Sequence, residues 1–333
     1  MLKTQDFDYE LAEELIAQFP ADKRDKSRLM IVGNKIEHKQ FSDVIDYLQK
    51  DDVLVLNETK VIKSKLTGKK TTGSDAEIIL LKRIDNKRFV SRVKTKNPNI
   101  GTEMIFNDFK CKIIKQETDI FTIEFEKELT DEVIDKIAIL PTPPYIKEKM
   151  DYNRYQTVYA QKEGSVAAPT AGLHFTKELI EQIKSKGVKI AKLTLHVGFG
   201  TFIPIRTENI EEHKMEDEYF EIDDRNSELI NNCKGRLVCV GTTSLRALEA
   251  MSKDGKIARK KGIADLFIYP GYKFQSNVEI LITNFHLPKS TLLLLVSAFA
   301  GTETIKKAYQ EAIKQKYRFY SFGDAMILFK ADL

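Results

Sequence analysis

Hydrophobic positions along this chain fall into two textures. Val53-Leu54-Val55-Leu56 is an unbroken apolar run after the Asp51-Asp52 turn, and such a run predicts a strand buried on both faces. From about residue 61 the pattern alternates instead. Six β-rich stretches, at 61–67, 76–84, 87–94, 102–106, 109–117 and 119–127, follow one another without an intervening helix. Asp85-Asn86 joins the second to the third as a tight hairpin, and the set predicts a small antiparallel barrel or sandwich. A helix is expected over 130–138, with Thr130 as N-cap and Asp131-Glu132 in its first turn.

The flanking regions read as helix and strand together. Residues 13–17 predict a short helix ending near Pro20, and 41–49 another with Ser42 as N-cap. Pro141-Thr142-Pro143-Pro144 is a breaker and a hinge back to the first domain. Beyond it, Thr176 caps a helix ending at Gly187, and 188–197 is a strand. Residues 236–240 form another strand, followed at once by a helix from Thr242. Further strands are expected at 265–269 and 278–285, an amphipathic helix at 302–317, and a closing sheet segment at 319–329. The fold class is therefore α/β: a discontinuous α/β domain, 1–62 with 151–333, carrying an inserted antiparallel β-barrel domain at 63–150.

Composition narrows the function. The 333 residues are 42% apolar and 31% charged, as in an ordinary globular protein. Cys111, Cys233 and Cys239 form no C-x-x-C pair, which argues against a disulfide framework or a cysteine zinc site and suits a reducing compartment. The N-terminus lacks the apolar stretch of a signal peptide, and the run at 292–296 is too short to span a bilayer, so it reads as a buried helix. The net charge of +4 is small but uneven. Residues 61–96 carry 11 basic and 3 acidic side chains, including Lys82, Arg83, Lys87 and Arg88. Such a patch favours a polyanion; it is also what solvated surface turns look like.

Five turns could carry chemistry. In Ala167-Ala168-Pro169-Thr170-Ala171-Gly172-Leu173-His174, small residues let backbone N–H groups approach a ligand just before a helix. His174 is a candidate base or ligand contact, or a histidine serving its own loop. Thr194-Leu195-His196-Val197-Gly198-Phe199-Gly200 ends a strand in a Gly-x-Gly turn that lacks the third glycine of a dinucleotide fingerprint. Gly241-Thr242-Thr243-Ser244-Leu245-Arg246 joins a strand to a helix and gathers three hydroxyls; Arg246 and Glu249, at i and i+3, could be a surface ion pair. Asn284-Phe285-His286 and Tyr320-Ser321-Phe322-Gly323-Asp324 close further strands. His213 and Glu216 mimic a metal corner, but no second cluster completes it, so no metal site is expected.

Together these segments resemble the S-adenosylmethionine:tRNA ribosyltransferase-isomerases of queuosine synthesis almost from end to end. The resemblance rests on FDYELAEELIAQFP, DDVLVLNETKVIKSKL, LPTPPYI, RYQTVYA, SVAAPTAGLHFT, LTLHVGFGTFIPI, VGTTSLRALE, LFIYPGY, LITNFHLPKSTLLLLVSAFAG and YRFYSFGDAMIL. It implies a discontinuous α/β domain with an inserted barrel. The implied reaction places a rearranged ribosyl group from S-adenosylmethionine on the preQ1 base, 7-aminomethyl-7-deazaguanine, at the wobble position of tRNA. Epoxyqueuosine, adenine and methionine result.

On that reading His174 and His196 are candidate bases. Thr242, Thr243, Ser244, Arg246, Gly198 and Gly200 are candidates for holding S-adenosylmethionine. Asp324 and Tyr320 are candidates for the base, and Lys82, Arg83, Lys87 and Arg88 for tRNA phosphate. The co-substrate is S-adenosylmethionine, with no prosthetic group, metal, membrane or obligate protein partner expected, and a cytoplasmic location. One departure stands out: where the family usually has His in H-x-M-H, this chain has Glu216. The competing readings are an S-adenosylmethionine-dependent RNA methyltransferase and a non-catalytic RNA-binding protein.

Overall fold

The computed structural model describes residues 2–143, 145–146, 152–198, 200 and 204–331. The chain divides into two compact units, residues 1–60 with 144–333 and residues 61–143. In chain order, a hairpin of β1 (Arg28–Val32) and β2 (Ile36–Gln40) precedes β3 (Val53–Asn57). The second unit holds β4 (Lys65–Lys70), β5 (Asp75–Arg83), β6 (Arg88–Thr95), β7 (Glu103–Phe106), β8 (Phe109–Glu117), β9 (Ile120–Phe125) and α1 (Asp131–Ile137). The first unit resumes with α2 (Lys177–Ser185), β10 (Lys189–Leu195), β11 (Glu218–Glu221), α3 (Asp224–Asn231), β12 (Leu237–Val240) and α4 (Thr242–Met251). It ends with β13 (Lys261–Ala264), β14 (Val278–Asn284), α5 (Thr291–Ala300), α6 (Thr302–Lys314) and β15 (Ala325–Phe329).

The first unit is built on one nine-stranded sheet, ordered β13-β11-β10-β3-β12-β14-β15-β1-β2. Its centre, β10-β3-β12-β14, is parallel throughout. All five residues of β3 are buried, as its unbroken apolar run predicts. Two apolar clusters cover the two faces: Val53, Val55 and Cys239 point into one, and Leu54, Leu56 and Val240 into the other. The apolar run at 291–300 is a buried helix whose N-cap, Ser290, accepts from the Leu293 N–H at 3.2 Å. Thr176 caps α2 in the same way. Among the described residues no helix is long and apolar enough to cross a membrane.

The second unit is a closed six-stranded antiparallel barrel, ordered β9-β6-β5-β4-β7-β8. Alternating residues such as Ile78, Phe89, Phe106, Ile113 and Ile123 fill it. Closure of β4 onto β7 depends on Gly68, where a Cβ would lie 2.1 Å from the Ile105 carbonyl oxygen. Thr130 caps α1 as expected, accepting from the Val133 N–H.

Several local expectations are corrected. Residues 13–17 make only a 3-10 turn at Glu13–Leu15. The segment at 41–49 is a 3-10 helix, Phe41–Tyr47, entered from Gln40 rather than Ser42; Asp43 accepts from the Gln40 N–H at 3.0 Å. Residues 265–269 form no strand, because Leu266, Phe267, Ile268 and Tyr269 pack on the core as a loop. The ladder is made just before them, by β13. The β1–β2 hairpin, β11 and α3 went unpredicted; β2 is polar and lies at the sheet edge, and β11 is only four residues long.

Asp52 fixes where β3 and β12 begin. One of its carboxylate oxygens accepts from the Arg236 N–H at 2.9 Å; the other accepts from the Gln49 N–H at 2.8 Å and Arg236 Nη2 at 2.7 Å. Asp52 is 1% exposed. Asp52→Ala would strand these donors, and we expect it to destabilise the α/β unit by about 3 kcal/mol. A lower urea midpoint at unchanged denaturant slope is the check.

Candidate active site

Parallel β-strands present their carboxyl ends on one side, where open α/β sheets take ligands. A cavity lies there. Its walls are Ala167, Ala168, Thr170 and Ala171 from the small-residue loop, Val197, Gly241 to Thr243 after β12, Thr283, Asn284 and His286 around the end of β14, Leu292, and Tyr320 and Ser321 before β15. None of these side chains is acidic. The small residues of the 167–171 loop thus let the chain line this narrow space closely.

His174 is not in that wall. It is buried behind it, stacked on Phe41 with ring centroids 4.8 Å apart. Its Nδ1 lies 2.7 Å from Ser27 Oγ and its Nε2 3.2 Å from Asn284 Nδ2. Asn284 Nδ2 also donates to the Tyr320 carbonyl at 3.0 Å, which fixes the amide orientation. His174 Nε2 therefore accepts, and Nδ1 carries the proton to Ser27. Burial, and then the charges of Arg318 and Arg24, push His174 down to about 3. The imidazole is neutral and both its nitrogens are engaged; its work is to hold Asn284. The Asn284 Oδ1 is left buried without a partner.

The histidine that does line the cavity is His286. Its Nε2 lies 3.2 Å from Thr283 Oγ1, its backbone N–H donates to the Tyr309 hydroxyl at 2.9 Å, and its carbonyl accepts from the Tyr9 hydroxyl. Burial pushes it, too, down to about 3. Beside it Tyr320 has φ +75°, a left-handed backbone costly for a bulky residue. Its N–H donates to the Phe285 carbonyl, and Asn284 clamps its carbonyl.

The other sequence candidates divide. Thr242 and Thr243 line the cavity in the first turn of α4. Gly241, at φ +89°, has no side chain to cap that helix, so its first turn starts at the cavity wall without a side-chain cap. Ser244 Oγ is spent on the Val240 carbonyl at 2.6 Å. Arg246 is spent as well, on Glu218 and on the carbonyls of Leu266, Glu216 and Ala264. It does not pair with Glu249, which accepts from Gln275 and Ser276. The Gly198 N–H donates to Glu218 and the Gly200 N–H to Glu216, both at 2.8 Å, so these N–H groups are not offered to a ligand. Asp324 is 1% exposed and accepts from the Arg28 and Arg318 N–H groups, fastening the 318–324 loop to β1 rather than presenting an edge to a base. His196 bonds Thr59 Oγ1 at 2.8 Å and lies against Tyr219, away from the cavity wall. Of the barrel cations, Arg83 pairs with Asp131 and Arg88 with Asp85, while Lys82 and Lys87 are exposed. No cluster of three or more His, Cys, Asp or Glu that could hold a metal occurs among the described residues.

A family model described as "Queuosine biosynthesis protein" matches residues 4–328. The chain belongs to this family. A relative from Acetivibrio thermocellus, named S-adenosylmethionine:tRNA ribosyltransferase-isomerase, is 48% identical over 98% of this chain and 100% of its own length. Another of the same name, from Desulforamulus reducens, is 49% identical over the same shares. The crystal structure of S-adenosylmethionine tRNA ribosyltransferase from Thermotoga maritima, 35% identical, aligns over 97% of this chain and 99% of that one with a TM-score of 0.55. Glu216, which stands at the last position of the H-x-M-E segment, has a local role in this fold. Glu216 is the acceptor that closes the Gly200 turn, and a Cβ on Gly200 would lie 2.5 Å from its carboxyl carbon.

Burial lowers four histidines, and the two most strongly depressed, His174 and His286, make stability depend on pH most. The unfolded chain protonates them near 6.5, whereas the folded chain resists until about 3. Their contribution is complete above pH 6.5 and is lost as pH falls toward 3, by about 1.4 kcal/mol per pH unit for each histidine. Urea unfolding from pH 7.5 to 5 should show this slope. His174→Gln should flatten it by one histidine's share, whatever it costs in absolute stability.

Proposed function

We propose that the chain transfers and isomerises the ribosyl moiety of S-adenosylmethionine onto 7-aminomethyl-7-deazaguanine at the wobble position of tRNA, giving epoxyqueuosine-tRNA, adenine and methionine. The observation that carries this is the family match over residues 4–328, supported by relatives of that name at nearly half identity over their full length. S-adenosylmethionine enters as a co-substrate, and the reading needs no prosthetic group, obligate protein partner or membrane and suits a cytoplasmic enzyme. Catalysis is assigned to the discontinuous α/β domain, 1–62 with 151–333, and tRNA backbone contact to the inserted barrel, 63–150.

The cavity suits the first chemical step, removal of a proton from the carbon beside the sulfonium. A sulfonium among neutral, buried side chains has no carboxylate to stabilise it, so losing that proton becomes easier. We assign the base to His286, with Nε2–H donating to Thr283 and Nδ1 keeping its lone pair. Burial lowers its pKa because protonation alone would add a charge to a dry site. Once the sulfonium is bound, proton transfer only moves one positive charge from sulfur to imidazole, and the cavity's net charge stays the same. Tyr320, with its backbone clamped in place, also lines the cavity as our candidate for contacting the substrate base, its ring packed on Tyr145 with centroids 4.0 Å apart. His174 acts through Asn284.

Incubation with S-adenosylmethionine and preQ1-tRNA should release adenine and methionine, and tRNA carrying guanine at that position should be inert. Accumulation of S-adenosylhomocysteine would instead mark a methyltransferase. His286→Ala should lower kcat by about 10²-fold or more, a magnitude typical of losing a general base. On the barrel, Lys82→Ala with Lys87→Ala should weaken tRNA binding. The slope of log affinity against log salt should fall by about one for each phosphate no longer neutralised. An unchanged slope would move the tRNA to another surface.

A further inference from the structure

The cavity contains two unmatched polar features of opposite sense. At one wall the first turn of α4, a helix of ten residues, opens without a capping side chain. Its N–H groups and the helix dipole favour a negative group. At the adjoining wall sits the Asn284 Oδ1, in a residue only 2% exposed and lacking any hydrogen-bond partner, which calls for a donor. The two walls are held side by side: Gly241 N–H donates to the Ile282 carbonyl at 2.8 Å, so α4 starts next to the last residues of β14. A further unpartnered buried group, the Thr291 hydroxyl, lies in an adjoining cavity that shares Thr242, Thr243 and Leu292 with the first.

One common ligand group carries an anion and a cationic donor on a single carbon: the head of an α-amino acid. We propose that the α4 N-terminus and Asn284 form an amino-acid subsite. It takes the carboxylate of the methionyl tail on the Thr242 and Thr243 N–H groups, and its ammonium on Asn284 Oδ1. This rests on the ribosyl-transfer reading and deepens it by fixing which end of S-adenosylmethionine lies against α4. Asn284 can present Oδ1 to that ammonium only because its Nδ2 is tied to His174 and Tyr320. The chain Ser27–His174–Asn284 is therefore a positioning relay. It also explains why the site needs no acidic side chain to receive an amino acid: the ammonium meets a neutral amide oxygen, and the cavity stays free of the counter-charge that would quiet the sulfonium.

The test compares three adenosyl ligands by equilibrium titration with preQ1-tRNA present. S-adenosylhomocysteine has carboxylate and ammonium, its decarboxylated analogue has only the ammonium, and 5′-methylthioadenosine has neither. Wild-type protein should bind S-adenosylhomocysteine about tenfold or more tightly than the decarboxylated analogue, as expected for hydrogen bonds to a charged group. Thr242→Pro removes one of the two N–H groups at a helix position that tolerates proline, and Gly241, with ψ 145°, already has the extended ψ preferred before it. This variant should lose most of that preference while binding 5′-methylthioadenosine as the parent does. Equal wild-type affinity with and without the carboxylate overturns the subsite and leaves the reaction reading standing. So does a Thr242→Pro variant weakened equally for all three ligands. If the wild-type protein binds no adenosyl ligand at all, the reaction reading falls and the subsite with it.

Discussion

The buried pair of Arg246 and Glu218 is the contact on which the site's geometry depends. Their side chains are 8% and 3% exposed. Taking two charges out of water is repaid only when every donor and acceptor is met. Here the guanidinium also reaches the carbonyls of Leu266, Glu216 and Ala264, and the second Glu218 oxygen takes the Gly198 N–H. One arginine thereby fastens α4 to β11, to the end of β13 and to the turn after β10. Burial pushes the Glu218 carboxyl up while Arg246 pulls it down, so removing either partner would leave an uncompensated group in the interior.

With its flank held that way, α4 can leave its first turn uncapped. Helix starts are ordinarily satisfied by a Ser, Thr, Asp or Asn at the N-cap, as Thr176 does for α2 and Ser290 for α5. At α4 a glycine stands there instead, and the helix begins at the cavity wall. The unusual backbone of Tyr320 is maintained by the same economy of polar groups, since the Asn284 amide that clamps it is itself held by His174. The left-handed Tyr320, the uncapped start of α4 and the unpartnered Asn284 Oδ1 all lie at this cavity; α2 and α5 start with side-chain caps, whereas α6 also starts at an uncapped glycine, Gly301.

The two units solve different electrostatic problems. The cavity at the carboxyl ends of β12 and β14 is walled by neutral side chains, which strengthens the effect of any charge brought into it. The barrel carries its cations outward in water, where each is screened and several are already paired with neighbouring acids, as Arg83 is with Asp131 and Arg88 with Asp85.

Neighbouring residues along the chain were enough to narrow the architecture. A run such as Val53 to Leu56 has no polar face to expose, so it suits a central strand, and six alternating stretches without helices suit a barrel or sandwich; the pairing of β4 with β7 decides for the barrel. Those preferences are period and composition effects, local to each segment. The loop of small residues at 167–171 and the turn at Thr242 were legible as cavity walls for the same reason. What the sequence could not assign was the direction of each polar group. His174, Arg246, Gly198, Gly200 and Asp324 stand in motif positions that suit a ligand, yet their hydrogen bonds go to Asn284, Glu218, Glu216 and backbone groups up to 296 residues away. His286, flanked by apolar residues in its own segment, is the imidazole that faces the cavity. A side chain's function here follows from whether folding has already satisfied its donors and acceptors, and those partners come together only in the tertiary structure.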